Sequence, residues 1–272
     1  MNNENTSGPR PSATVRRPAA LALLAAAGVV ALAACGGTTG GASDSGDAPD
    51  TASSGGQRNA DAPTVLWMGD SIGEAEAPAL GASLKAADAG FRSMAAAGGG
   101  GVVGEIAKPT WGQLTKELKS TKPDVVAYQI TTYDWGTPDE QRAGYERLAK
   151  QVNEAGAELV IVSAPPFKID DFYKPHAAAI KTAPKSAEEV AGKHEGKVRY
   201  LDAAALWGTD HAAPKAQRSK DGIHSCQQGS AAFAQWLTAE LGKRYDFKPA
   251  PADRWATGSW TGDKVYAPLG CK

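Results

Sequence analysis

Short apolar runs alternate with longer amphipathic stretches along the chain from about residue 63. The clearest runs are Thr64-Val65-Leu66-Trp67-Met68, Asp124-Val125-Val126-Ala127-Tyr128-Gln129-Ile130, Glu158-Leu159-Val160-Ile161-Val162-Ser163 and Lys197-Val198-Arg199-Tyr200-Leu201. Gly90-Phe91-Arg92-Ser93-Met94 is a weaker fifth. Runs this short, rich in Val and Ile and bounded by Gly or Pro, read as strands buried on both faces. Between 138 and 156, Tyr145, Leu148, Ala149 and Val152 recur at helical spacing, and Gly156 is placed as a stop. Between 227 and 245, Phe233, Trp236, Leu237 and Leu241 form a second apolar stripe. Strands separated by helices of this length imply βαβ units. The pattern predicts an α/β fold: a three-layer α/β/α sandwich around a parallel sheet of about five strands, covering roughly 63–250. Residues 246–272 carry Trp255, Trp260 and Tyr266 without periodicity and are expected to wrap the surface. No internal repeat is visible.

The first sixty residues carry no such pattern. Arg10, Arg16 and Arg17 precede a run of mostly Ala, Leu and Val from Pro18 to Ala34, the layout of a secretory signal. The run ends Leu32-Ala33-Ala34-Cys35, which is similar to the lipobox of bacterial lipoproteins; that likeness implies cleavage before Cys35 and a lipid on its thiol. An uncleaved membrane helix is the competing reading, but the run sits at the short limit for spanning about 30 Å of hydrocarbon. The Arg16-Arg17 pair is compatible with either twin-arginine or general export. From Gly36 to Asp61 the chain is largely Gly, Ser, Thr, Ala and Asp, a composition that buries little apolar surface and suits a flexible spacer. The expected organisation is therefore a signal at 1–34, a linker at 35–62 and a folded domain at 63–272, with an extension from about 246. The expected location is the outer face of a bacterial cell membrane.

Composition narrows the classes. A net charge of −1, with 29 basic and 30 acidic residues, offers no basic stripe for nucleic acid. Among three cysteines, a lipidated Cys35 would leave Cys226 and Cys271 as an even pair in an exported protein, where a disulfide persists. No metal-ligand spacing accompanies them, so no metal or other cofactor is expected.

In open parallel sheets, sites form beyond the carboxyl ends of the strands. That rule singles out Gly69-Asp70-Ser71, the glycine run 98–101, Thr131–Trp135, and the loop before the last helix. A Ser just past a first strand can expose its hydroxyl at a helix entrance with its own N–H facing an oxyanion; Asp70 and Ser71 could equally be a helix cap. In Asp221-Gly222-Ile223-His224, an Asp three residues before a His can hold one ring nitrogen and leave the other as base. His176, His194 and His211 lack such a partner and read as surface residues. Trp67, Trp135 and Trp207 fall near strand ends, where they either stack on sugar rings or fill the core.

Gly-Asp-Ser after strand one, glycine after strand two, a motif after strand three and DxxH before the last helix together resemble the block order of the SGNH (GDSL-like) hydrolase superfamily, over residues 64–245. The resemblance implies a serine esterase or acylhydrolase with Ser71 as nucleophile, His224 as base and Asp221 orienting it. It implies an oxyanion hole from the Ser71 and Gly99 N–H groups. Where most members carry Gly-x-Asn-Asp, this chain has Thr131-Thr132-Tyr133-Asp134, so Tyr133 stands in place of the Asn donor, as a hydroxyl donor or as a packing residue. Similar aromatic replacements, and a similar glycine-rich second block, occur in SGNH domains attached to bacterial membrane acyltransferases. The expected substrate is an acyl ester on a small molecule or cell-envelope glycan, attacked by a monomer. Transfer of the acyl group to a sugar hydroxyl, or a non-catalytic binding module, are the alternatives.

Overall fold

The computed structural model describes residues 62–245 and 247–271. Lipidation at Cys35, the signal and the linker lie outside them.

Five strands, β1 (Thr64–Met68), β2 (Gly90–Ser93), β3 (Val125–Gln129), β4 (Glu158–Val162) and β5 (Val198–Leu201), form one sheet in the order β2-β1-β3-β4-β5. Every pairing is parallel. Among the described residues, six α-helices accompany them: α1 (Ser71–Ala86), α2 (Lys108–Thr121), α3 (Pro138–Glu154), α4 (Ala177–Lys193), the single turn α5 (Ala204–Trp207) and α6 (Gln227–Gly242). The predicted helices at 138–156 and 227–245 end slightly early, the first because Gly156 takes a left-handed φ of +87°.

Strand alternation divides the core in two. Val65, Trp67, Val125, Ala127, Val160 and Val162 pack with α1, α6 and Trp255 of the C-terminal extension. Leu66, Met68, Val126, Tyr128, Leu159 and Ile161 pack with α2, α3 and α4. Both faces are covered, which is why these strands read as continuous apolar runs instead of alternating ones.

Two expectations change here. Trp67 and Trp207 are fully buried. Trp67 packs against Phe233, Trp207 stacks on it, and the Trp67 indole N–H donates to the Gly73 carbonyl at 2.8 Å. Neither ring is available to a sugar. Second, the extension does more than wrap. Trp255 and Tyr266 are buried, and the Tyr266 hydroxyl donates to the Ala75 carbonyl of α1 at 2.9 Å. A disulfide joins Cys271 to Cys226 at the start of α6, with Cα atoms 5.5 Å apart.

The chain leaves β1 toward β2 on one side and returns to β3 on the other. The carboxyl ends of β1 and β3 therefore frame the point where the strand order reverses, the usual crevice of such sheets.

Candidate active site

Ser71 stands at that crevice because of Asp70. The Asp70 carboxylate caps α1 by accepting from the Ile72 N–H at 2.9 Å. Its second oxygen accepts from the Thr132 N–H at 2.7 Å and hydroxyl at 2.8 Å. One buried carboxylate thus ties the loop after β1 to the loop after β3, although burial pushes its pKa up. Ser71 becomes the first residue of α1, where an N–H has no intrahelical partner and lies at the positive end of the helix dipole.

The His224 loop arrives from far along the chain. Asp221 Oδ1 accepts from the Ser219 hydroxyl (2.7 Å), the Ile223 N–H (2.7 Å) and the His224 N–H (3.0 Å), folding 219–224 into a tight turn. Asp221 Oδ2 lies 2.7 Å from His224 Nδ1, and His224 Nε2 lies 2.8 Å from Ser71 Oγ. With its proton on Nδ1, the imidazole donates to Asp221 and accepts from the Ser71 hydroxyl. Burial works to raise the Asp221 pKa, but the bonds from His224, Ile223 and Ser219 outweigh it and hold the carboxyl down at about 2. The carboxylate is thus ionised beside the ring over any ordinary working pH.

The glycine run packs closely on this centre. Gly100 adopts a φ of +80°, and a Cβ there would lie 2.1 Å from the Gly69 carbonyl oxygen, so only glycine permits the approach. Gly99 has open space around its Cα. Among the described residues, none of the Gly98–Gly101 N–H groups donates a bond within the protein. The next residue is fixed: Val102 N–H donates to Asp134 at 2.9 Å. Asp134, buried, also accepts from the Tyr128 and Tyr145 hydroxyls at 2.6 and 3.2 Å. The two loops flanking Ser71 are therefore braced by two buried carboxylates, Asp70 and Asp134.

Tyr133 is half-buried beside them, its ring 5.4 Å from that of Trp135 and 6.3 Å from that of Phe172. Burial, and the Asp70 charge nearby, raise its pKa, so the hydroxyl keeps its proton and remains a donor. Trp135 is stacked on His176 with centroids 3.5 Å apart, a pairing the sequence did not reveal. A second unforeseen group sits on the buried face of α1. Glu76 is fully buried, accepts from the Gln129 amide at 2.7 Å, and is pushed up to about 8 by desolvation, against the pull of Arg218. Arg218 itself donates to the Ala216 and Ile223 carbonyls, bracing the His224 loop from below.

A parallel α/β sheet carries a serine at its reversal point, in contact with a His–Asp pair. The family model described as an SGNH domain (fused to AT3 domains) matches residues 34–220, and the chain belongs to that family, of the hydrolase and esterase kind. The match stops just before Asp221. Solved structures agree on the fold. A GDSL-like lipase from Bacteroides thetaiotaomicron is 14% identical, with 66% of this chain and 88% of that one covered at a TM-score of 0.51. The acetyl xylan esterase AlAXEase is 13% identical over 65% and 99% of the chains, at 0.52. An α/β hydrolase from the metagenome of Lake Arreo, Spain, is 18% identical over 66% and 95%, at 0.50. No curated protein matches the chain significantly.

Proposed function

We propose that the protein is an extracytoplasmic serine esterase that cleaves acyl esters of the cell envelope, with Ser71 as nucleophile. The observation that carries this reading is the unbroken Ser71–His224–Asp221 chain of contacts at 2.8 and 2.7 Å, assembled from segments 153 residues apart. His224 Nε2 takes the Ser71 proton as Oγ bonds to the ester carbonyl carbon. The Ser71 and Gly99 N–H groups and the Tyr133 hydroxyl donate to the developing oxyanion. As the tetrahedral intermediate collapses, the C–O bond to the alcohol breaks and the alcohol leaves with the proton from His224. Water, deprotonated by the same imidazole, then releases the acid and restores Ser71.

Export rests on the Arg-led apolar segment ending Leu32-Ala33-Ala34-Cys35 and on the Cys226–Cys271 disulfide, which an oxidising compartment preserves. Lipid on Cys35 would tether the domain to the outer face of the membrane through the linker.

The test is hydrolysis of a small acetyl ester by the purified domain beside Ser71→Ala. Loss of turnover in the variant supports the esterase; equal rates favour a binding module that kept the fold. Adding a glycan acceptor and following labelled acyl groups separates hydrolysis from transfer to a sugar hydroxyl.

A further inference from the structure

A cavity of about 800 Å³ opens beside Ser71 and His224, a size that suits a small organic ligand. Its walls are mainly apolar: Ala75 and Pro78 of α1, Phe91 of β2, and Val265, Pro268 and Leu269 of the C-terminal extension. Three of these six come from a segment beyond the matched family region, which ends at residue 220. That segment is anchored from several directions. Tyr266 bonds to Ala75, the Gln227 side-chain amide donates to the Thr261 carbonyl at 2.9 Å, and Cys271 is bonded to Cys226, two residues from the base. The charged groups at the cavity are Glu74, Asp263 and Lys264. Glu74 is occupied by the Ala97 N–H at 3.0 Å and Asp263 by the Val265 N–H at 2.9 Å.

We propose that this cavity holds the acyl chain of the substrate, a chain of several methylenes and not an acetyl group, and that the C-terminal extension sets its permitted length. The inference rests on Ser71 being the nucleophile. The acyl group stays bonded to Oγ through both half-reactions while the alcohol departs after the first, so a walled apolar space at Oγ serves the part that stays. Each buried methylene favours the longer ester by up to about fourfold. Trp135, Tyr133 and Phe172 are not part of these walls, which leaves the loops after β3 and β4 for the alcohol.

The experiment compares kcat/KM for acetyl, butanoyl and octanoyl nitrophenyl esters, using the protein, Val265→Trp and Leu269→Asp. Decanoate binding to the Ser71→Ala variant, with and without Val265→Trp, is measured alongside. The expected result is an octanoyl-to-acetyl ratio above about ten, falling at least tenfold in both wall variants. A ratio at or below one, or a ratio that both substitutions leave unchanged, overturns the proposal even if the acetyl ester is turned over by Ser71. If no ester is turned over, the esterase reading fails on its own and decanoate decides this one: binding weakened tenfold or more by Val265→Trp upholds the cavity, and absent or unaffected binding overturns it.

Discussion

Replacing Asp221 by Asn should nearly abolish turnover while leaving the fold intact, and the structure says why. The two Asp221 oxygens do different work. Oδ1 accepts three hydrogen bonds, two of them from backbone N–H groups that cannot become acceptors. Oδ2 has the single contact to His224 Nδ1. An amide NH₂ placed at Oδ1 would face two donors and forfeit bonds worth about 1 kcal/mol or more each. The amide therefore keeps its oxygen on the turn and points NH₂ at the ring. His224 then accepts at Nδ1 and carries its proton on Nε2, the nitrogen that must take the Ser71 proton. The wrong tautomer in this arrangement costs about 10⁴ in kcat, equivalent to about 5 kcal/mol of barrier. Steady-state hydrolysis of a nitrophenyl ester by Asp221→Asn, with Ser71→Ala as the floor and a thermal melt as the check on folding, measures it. Retention of more than a tenth of kcat in a folded variant would refute the reasoning and reduce Asp221 to a turn-forming residue.

Tyr133→Phe removes only the hydroxyl; kcat should drop about 10²–10³-fold with little change in KM, whereas a change under threefold would assign Tyr133 to packing with Trp135 and Phe172. Gly100→Ala must push a methyl into the Gly69 carbonyl at 2.1 Å while holding a positive φ. A lower Tm and a loss of about 10² in kcat/KM are expected, against an unchanged Tm for Gly99→Ala, and equal melts would contradict the close approach. Burial of Glu76 gives a pH signature. Between the ordinary carboxylate value and about 8 the folded protein holds a proton that the unfolded chain has released, so stability falls as pH rises through that window. Glu76→Gln should flatten the fall, with a Tm advantage over the parent that grows from pH 5 to pH 9; parallel melting profiles would count against it.

The sheet was legible because the inner strands β1, β3 and β4 are buried on both faces, which leaves Val- and Ile-rich runs that no helix period explains. The weak fifth run proved to be the edge strand β2, where exposed Arg92 pairs with Glu117 of α2. Of the site, Ser71, Asp221 and His224 were readable because local turns, an N-cap and a DxxH loop, place them. The bracing beneath was not. Asp134 and Glu76 look like ordinary charges in sequence, and only long-range packing buries them against Tyr128, Tyr145 and Gln129. Trp67 and Trp207 were ambiguous for the same reason: a strand-end aromatic faces solvent or core according to what α6 places beside it. The extension was read as a surface wrap and its packing was missed, because its short 3₁₀ turns have no period to detect, although Trp255 and Tyr266 are buried.

The bond between Cys226 and Cys271 makes the C-terminal extension a neighbour of His224, the proposed base. Reducing the protein during purification would leave the sheet and the Asp70 cap of α1 in place while loosening the loop behind His224. An enzyme handled that way could be folded, soluble and wrongly judged inert. Activity should therefore be assayed before any thiol reagent is added.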